Sequence, residues 1–179
     1  MSEPTPLTDP PTTDPGLALA PLLKRAGSVI ESEIRGRSMG DTIVSGTRIR
    51  IRCGTAVDYP EGTVIAFLGG NGLVGHRVVG VGRDRLGGTY LLTRGDGSIV
   101  CDPPVEPERV LGEVIERQDG ETWKPIPAAP PGTVLGRSIA AVSLLLVRTA
   151  LAVDARLAAR TAVLLTVVGR HLARRPPPA

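Results

Sequence analysis

Three kinds of residue able to build an acyl-transfer site stand in this chain: Ser38 in "GRSMGDTI", His76 in "LVGHRVVGV", and the acids Asp96 and Asp102 in "TRGDGSIVCD". A serine hydroxyl is a poor nucleophile unless a base lies within hydrogen-bond reach. The chain has two histidines. His171 lies in an Arg-rich segment and is expected to face solvent. His76 is flanked by Gly75 and Arg77 in a strand-like run, where a neutral imidazole can hold a fixed direction; a structural histidine is the alternative there. Asp96 and Asp102 follow the next strand-like run on a glycine-rich turn. A carboxylate facing the second ring nitrogen fixes the tautomer and stabilises the imidazolium formed during acyl transfer. Either acid can fill that role.

The elements that must position these groups have a period of two. In "TRIRIR", Ile49 and Ile51 alternate with Arg48, Arg50 and Arg52, which predicts isoleucines on a core face and arginines in water. Further strands are predicted at 63–68, 73–81, 89–94 and 109–116, separated by Gly, Asp and Pro turns. Short strands at this spacing predict a mainly β fold, a compact domain over 28–126. A Pro-rich linker, 127–132, closes it, because consecutive prolines cannot continue a central strand. Upstream, 1–15 is polar, Pro-rich and predicted disordered, with neither a signal peptide nor a membrane anchor, and 16–27 predicts a short helix.

Composition narrows the function classes. A length of 179 residues suits one ordinary domain with tails, and 2% aromatics means a core of Val, Leu, Ile and Ala. The net charge of +3 is concentrated: seven arginines and one acid, Asp154, lie from Arg137 onward. No basic cluster interleaved with aromatics occurs, so no nucleic-acid partner is expected. Cys53 and Cys101 lack any zinc-binding spacing and read as two buried thiols; neither metal nor cofactor is expected.

On the blocks just quoted, the chain resembles the type I signal peptidases, which share a fold with the self-cleaving domain of LexA-type repressors. The resemblance runs from about Gly36 to Ile115. "GRSMGDTI" resembles the nucleophile box, "EGTVIAF" the strand after it, "GHRVVGV" the block carrying the base, and "LLTRGDGSIVCD" the Gly-Asp block. His76 followed by Arg77 matches the archaeal, endoplasmic-reticulum and sporulation-type subgroup, whose base is histidine. The resemblance implies a serine endopeptidase cutting a leader-bearing protein or peptide after small side chains. It implies Ser38 as nucleophile, His76 as base and Asp102 as orienter, with Asp96 as the competing choice. The sequence departs from the pattern at Asp41, where the family usually has Pro, and at Thr47 and Thr63, where Gly-Asp pairs are expected. Gly36 offers no hydroxyl, so backbone N–H groups of Gly36, Arg37 and Ser38 are expected to bind the oxyanion, each good donor contributing about 3 to 4 kcal/mol. The alternatives are an inactive interaction module or a self-cleaving regulator, though no helix-turn-helix precedes the β domain.

Residues 133–175 have helical composition. "SIAAVSLLLVRTALAV" falls short of the ~20 apolar residues of a comfortable span, yet its leucines offset much of the cost of Arg148, so spanning stays open beside surface binding. On a single helical wheel, Arg137, Arg148, Arg156, Arg160, Arg170 and Arg174 share one half, opposite Leu, Val and Ala. That predicts a basic amphipathic helix on an anionic membrane surface through 137–174, with packing on the β domain or on a second copy as the alternative. The expected location is the cytoplasm or the cytoplasmic face of the membrane.

Overall fold

The computed structural model describes residues 27–54, 59–70, 72–130 and 132–173. The fold is mainly β: one antiparallel sheet of seven strands followed by two C-terminal helices. The strands are β1 (Val29–Glu33), β2 (Arg48–Cys53), β3 (Val64–Gly69), β4 (Gly72–Arg83), β5 (Thr89–Arg94), β6 (Val110–Asp119) and β7 (Thr122–Pro125). Their order across the sheet is β1-β2-β6-β3-β4-β5, and β7 pairs with β6 beyond the end of β3. The predicted strands all form, within a few residues of the expected ends. Two were missed, β1 and β7, while the predicted tail over 1–15 and nearly all of the 16–27 helix lie outside the described residues.

The alternation in β2 does what its pattern requires. Ile49 and Ile51 are fully buried, while Arg48, Arg50 and Arg52 face outward against acids on neighbouring strands. Arg48 and Arg50 pair with Glu31 on β1, Arg50 also with Glu116 and Arg52 with Glu113 on β6, and the Arg50 guanidinium stacks 4.1 Å from the Trp123 ring centroid on β7. Such exposed pairs are screened by water and contribute little to net stability. Register comes mainly from the buried isoleucines, because a one-residue slip would expose both.

β3 is apolar without alternation, because both its faces are covered. Val64 and Ala66 join Met39, Ile43, Ile49 and Ile51 on one side. Ile65 and Phe67 join Val78, Leu91 and Val110 on the other. The loop that carries Ser38 is therefore anchored by its own Met39 and Ile43 in the first of these cores.

The C-terminal segment is two helices, α1 (Val134–Val153) and α2 (Ala155–Ala173), which corrects the single helix predicted over 133–175. Asp154 makes the break. Its backbone is extended (φ −164°, ψ 138°), its N–H ends α1 on the Ala150 carbonyl, and its Oδ1 accepts from the N–H groups of Arg156 and Leu157 at the start of α2. One aspartate thus caps both helices. Gly136 and Gly169 both lie against Ile99, so the helices run antiparallel. Ala140, Ser143, Val147 and Leu151 of α1 and Ala158 and Ala162 of α2 form the buried stripe, packed on Leu92 and Cys101. Cys53 and Cys101 are separate buried thiols. By length and composition alone, α1 is long and apolar enough to cross a membrane.

Replacing Asp154 with Ala removes the acceptor for two N–H groups and is expected to lower stability by about 0.5–2 kcal/mol. Urea unfolding of the full chain measures this, and an unchanged midpoint would contradict the double-cap role.

Candidate active site

The predicted catalytic residues come together from three separate stretches of chain. His76 lies in the middle of β4, opposite Ile65 on β3, with its ring edge-on to Phe67 at 6.1 Å. One ring nitrogen, Nε2, is 2.7 Å from Ser38 Oγ, and the other, Nδ1, is 2.6 Å from Asp102 Oδ2. With its proton on Nδ1, the neutral ring donates to Asp102 and leaves the Nε2 lone pair to accept the serine hydroxyl. The His76 side chain is 10% exposed, so the ring is held by its neighbours while one edge meets the cleft.

Asp102 is itself positioned twice. Its N–H donates to the Thr93 carbonyl at 2.9 Å, and the Thr93 hydroxyl donates to its Oδ2 at 2.8 Å. Thr93 is fully buried on β5 and was not among the residues singled out from the sequence. No motif marks it; its only signal is that it stands on the strand leading into the Gly-Asp turn.

Asp96, the competing orienter, is occupied otherwise. Its carboxylate takes a two-pronged contact from Arg77, Nε to Oδ1 at 2.9 Å and Nη2 to Oδ2 at 2.7 Å, plus the Thr42 hydroxyl at 2.7 Å. Among the described residues none of its hydrogen bonds goes to His76. The physical reason is strand alternation: consecutive residues face opposite sides, so His76 and Arg77 recruit different acids from the same turn. The Arg77 and Asp96 side chains are 8% and 4% exposed. Burial acts most strongly on the Asp96 carboxyl and would raise its pKa, but the Arg77 and Thr42 hydrogen bonds and the Arg77 and Arg94 charges together hold it below the ordinary 3.8. Arg77 also donates to the carbonyls of Gly62 and Pro127, which pins the start of the Pro-rich linker.

The loop that carries Ser38 rests on bare backbone. Gly97 donates its N–H to the Ser38 carbonyl at 2.8 Å, and a Cβ at Gly95 would overlap that carbonyl. The glycines of "TRGDGS" therefore permit a close approach that any side chain would block. A second clamp comes from β6, where Arg117 Nη1 donates to the carbonyls of Asp41 and Thr42 at 2.9 and 2.6 Å. Asp41, which stands where the resemblance leads one to expect proline, thus has its backbone fixed by a cation.

Of the three expected oxyanion donors, Gly36 is corrected. Its N–H donates to Ser45 Oγ at 3.1 Å, a partner the sequence reading missed. Among the described residues the N–H groups of Arg37 and Ser38 have no such acceptor. Beside them opens a cleft of about 580 Å³, walled by Ser38, His76, Gly97, Ile99 and, from α2, Thr166 and Gly169. A smaller apolar cavity of about 230 Å³ lies against His76 and Asp102, lined by Phe67, Val74, Pro104 and Val105. Among the described residues no group of three or more His, Cys, Asp and Glu side chains is placed to hold a metal ion.

Replacing Arg77 with Met leaves Asp96 as a buried charge without its cation, expected to cost about 3–5 kcal/mol in urea unfolding. The carboxyl has a lower pKa folded than unfolded. Its stabilisation is therefore complete above the ordinary 3.8 and lost as pH falls through the lower folded value. Wild-type stability should fall in that acid window, and Asp96→Asn should flatten the fall.

The chain matches no model of a known protein family. It likewise matches no curated protein.

Proposed function

We propose that the chain is a serine endopeptidase of the type I signal peptidase kind, with Ser38 as nucleophile, His76 as general base and acid, and Asp102 as its orienter. The observation that carries the reading is the His76 ring lying between the two others, 2.7 Å from the Ser38 hydroxyl and 2.6 Å from the Asp102 carboxylate. The order of the four sequence blocks and the His-Arg pair support the family assignment.

In this reading Ser38 Oγ attacks a peptide carbonyl while His76 Nε2 takes its proton. Negative charge developing on the carbonyl oxygen is met by the N–H groups of Arg37 and Ser38. Asp102 stabilises the imidazolium without taking its proton. His76 then returns the proton to the leaving amine, and the bond between the carbonyl carbon and nitrogen breaks. Water, deprotonated by the same ring, hydrolyses the acyl-enzyme and frees Ser38.

The substrate is a leader or signal-like segment of a protein or peptide, cut after small side chains as the resemblance implies. It binds as an extended chain across the cleft between the Ser38 loop and residues 97–100.

A serine-directed fluorophosphonate probe tests the assignment. Labelling of the wild type should vanish in Ser38→Ala and fall sharply in His76→Ala. Folded wild type that takes no label favours the non-catalytic module, and a Ser38→Ala variant that still cleaves peptide removes the nucleophile. Asp102→Asn should lower turnover by up to about ten-thousandfold with the fold intact, because the ring is then held in the wrong tautomer.

Thr93 is a positioning residue. Thr93→Val should lower kcat with little change in KM and displace the acid limb of the pH–rate profile, and Thr93→Ser should restore both. A loss in Thr93→Val that Thr93→Ser fails to restore would point to packing alone.

A further inference from the structure

The helical hairpin presents to solvent a face that its packing does not use. Val142, Leu145 and Leu146 on α1 and Val163, Leu164 and Val167 on α2 are all exposed, Leu145 by 64% and Leu164 by 63%. They stand away from the stripe buried on the sheet, and they share the hairpin surface with the exposed Arg137, Arg148, Arg156 and Arg160. Over the described side chains of the hairpin those four arginines face one acid, Asp154, whose carboxylate oxygen Oδ1 already accepts from two N–H groups. Along α2 runs a shallow groove of about 400 Å³ with Arg160 and Ala159 at one end and Val163, Leu164 and Val167 beyond. From Arg160 to Val167 is about 10 Å along the helix.

We propose that this face docks on the surface of an anionic phospholipid bilayer, with lipid phosphates on the arginines and acyl chains against the leucines and valines. Charge decides the occupant. A second copy packed face to face would bring two sets of four like charges together, whereas an anionic surface complements every one of them. Long cationic side chains beside apolar ones suit an interface, because the guanidinium reaches the headgroups while its neighbours sink below. The docked element differs from the single helix predicted from the sequence: it is a two-helix paddle whose inner face stays on the β domain.

The position of α2 gives docking a consequence. Thr166 and Gly169, which wall the Ser38 cleft, follow within a turn of Leu164 and Val167, which would touch lipid. A docked hairpin therefore holds the cleft beside the bilayer.

Co-sedimentation of the full chain with phosphatidylglycerol/phosphatidylcholine vesicles tests the docking without reference to activity. Binding should appear with phosphatidylglycerol, be absent with phosphatidylcholine alone, and be released by high salt. Arg156→Gln with Arg160→Gln should weaken it by roughly tenfold or more, and Leu145→Asp with Leu164→Asp should abolish it, with serine-probe labelling in solution unchanged in each. No binding to phosphatidylglycerol vesicles by folded chain overturns the proposal. So does a dimer that Leu145→Asp with Leu164→Asp dissociates, which assigns the face to a second copy, or binding that survives alkaline washing, which assigns α1 to a span. Labelling that fails while vesicle binding holds would count against the peptidase and leave the docking standing.

Discussion

A single buried ion pair, Arg77 with Asp96, joins the parts on which the site depends. Arg77 comes from the strand that carries His76, and Asp96 from the turn that leads to Asp102. Thr42, on the same carboxylate, comes from the loop that carries Ser38. The guanidinium's remaining donors reach the carbonyls of Gly62 and Pro127, so its charge is spread over acceptors from three stretches of chain. Burying two charges is costly, and a pair is tolerated when its geometry is two-pronged and its remaining donors are satisfied. This pair meets that condition and in return fixes the relation of the Ser38 loop to His76 without touching the Ser38 hydroxyl or the imidazole.

The geometry around Ser38 follows from that frame. The loop is held from below by Met39 and Ile43 in the core, from one side by Arg117 and from another by the bare backbone of Gly95 and Gly97. Three kinds of restraint act on about seven residues, and each leaves the Ser38 hydroxyl facing the imidazole. A flexible loop would have to find that geometry anew each time, whereas here the Ser38 hydroxyl and the His76 ring stand within hydrogen-bond distance beforehand.

Much of this was legible because strands announce themselves by period two. The buried Ile49 and Ile51 and the five predicted strands follow from pattern, and the meeting of Ser38 with His76 from block order. β1 and β7 escaped because they are short, mixed in character and held largely by pairing with β2 and β6. Which acid turns toward His76 was beyond the linear pattern: Asp96 and Asp102 stand six apart on one turn, and the choice depends on which face of β4 each meets. The oxyanion assignment to Gly36 failed because Ser45, nine residues away, takes its N–H. The basic wheel drawn over 137–174 assumed a constant 100° per residue. Asp154 read as the end of an apolar run, but its extended backbone and carboxylate end one helix and begin another, which resets the phase.

His76 and Arg77 are adjacent in the chain and opposite in direction, so chemistry and scaffold share one dipeptide. Sliding β4 by a single position along β3 would bring either Arg77 to the Ser38 hydroxyl and Val78 to Asp96, or Gly75 to the hydroxyl and the imidazole to Asp96. The alignment of this one hairpin therefore acts as an all-or-nothing code: there is no intermediate pairing in which a weakened version of the Ser38–His76–Asp102 arrangement survives.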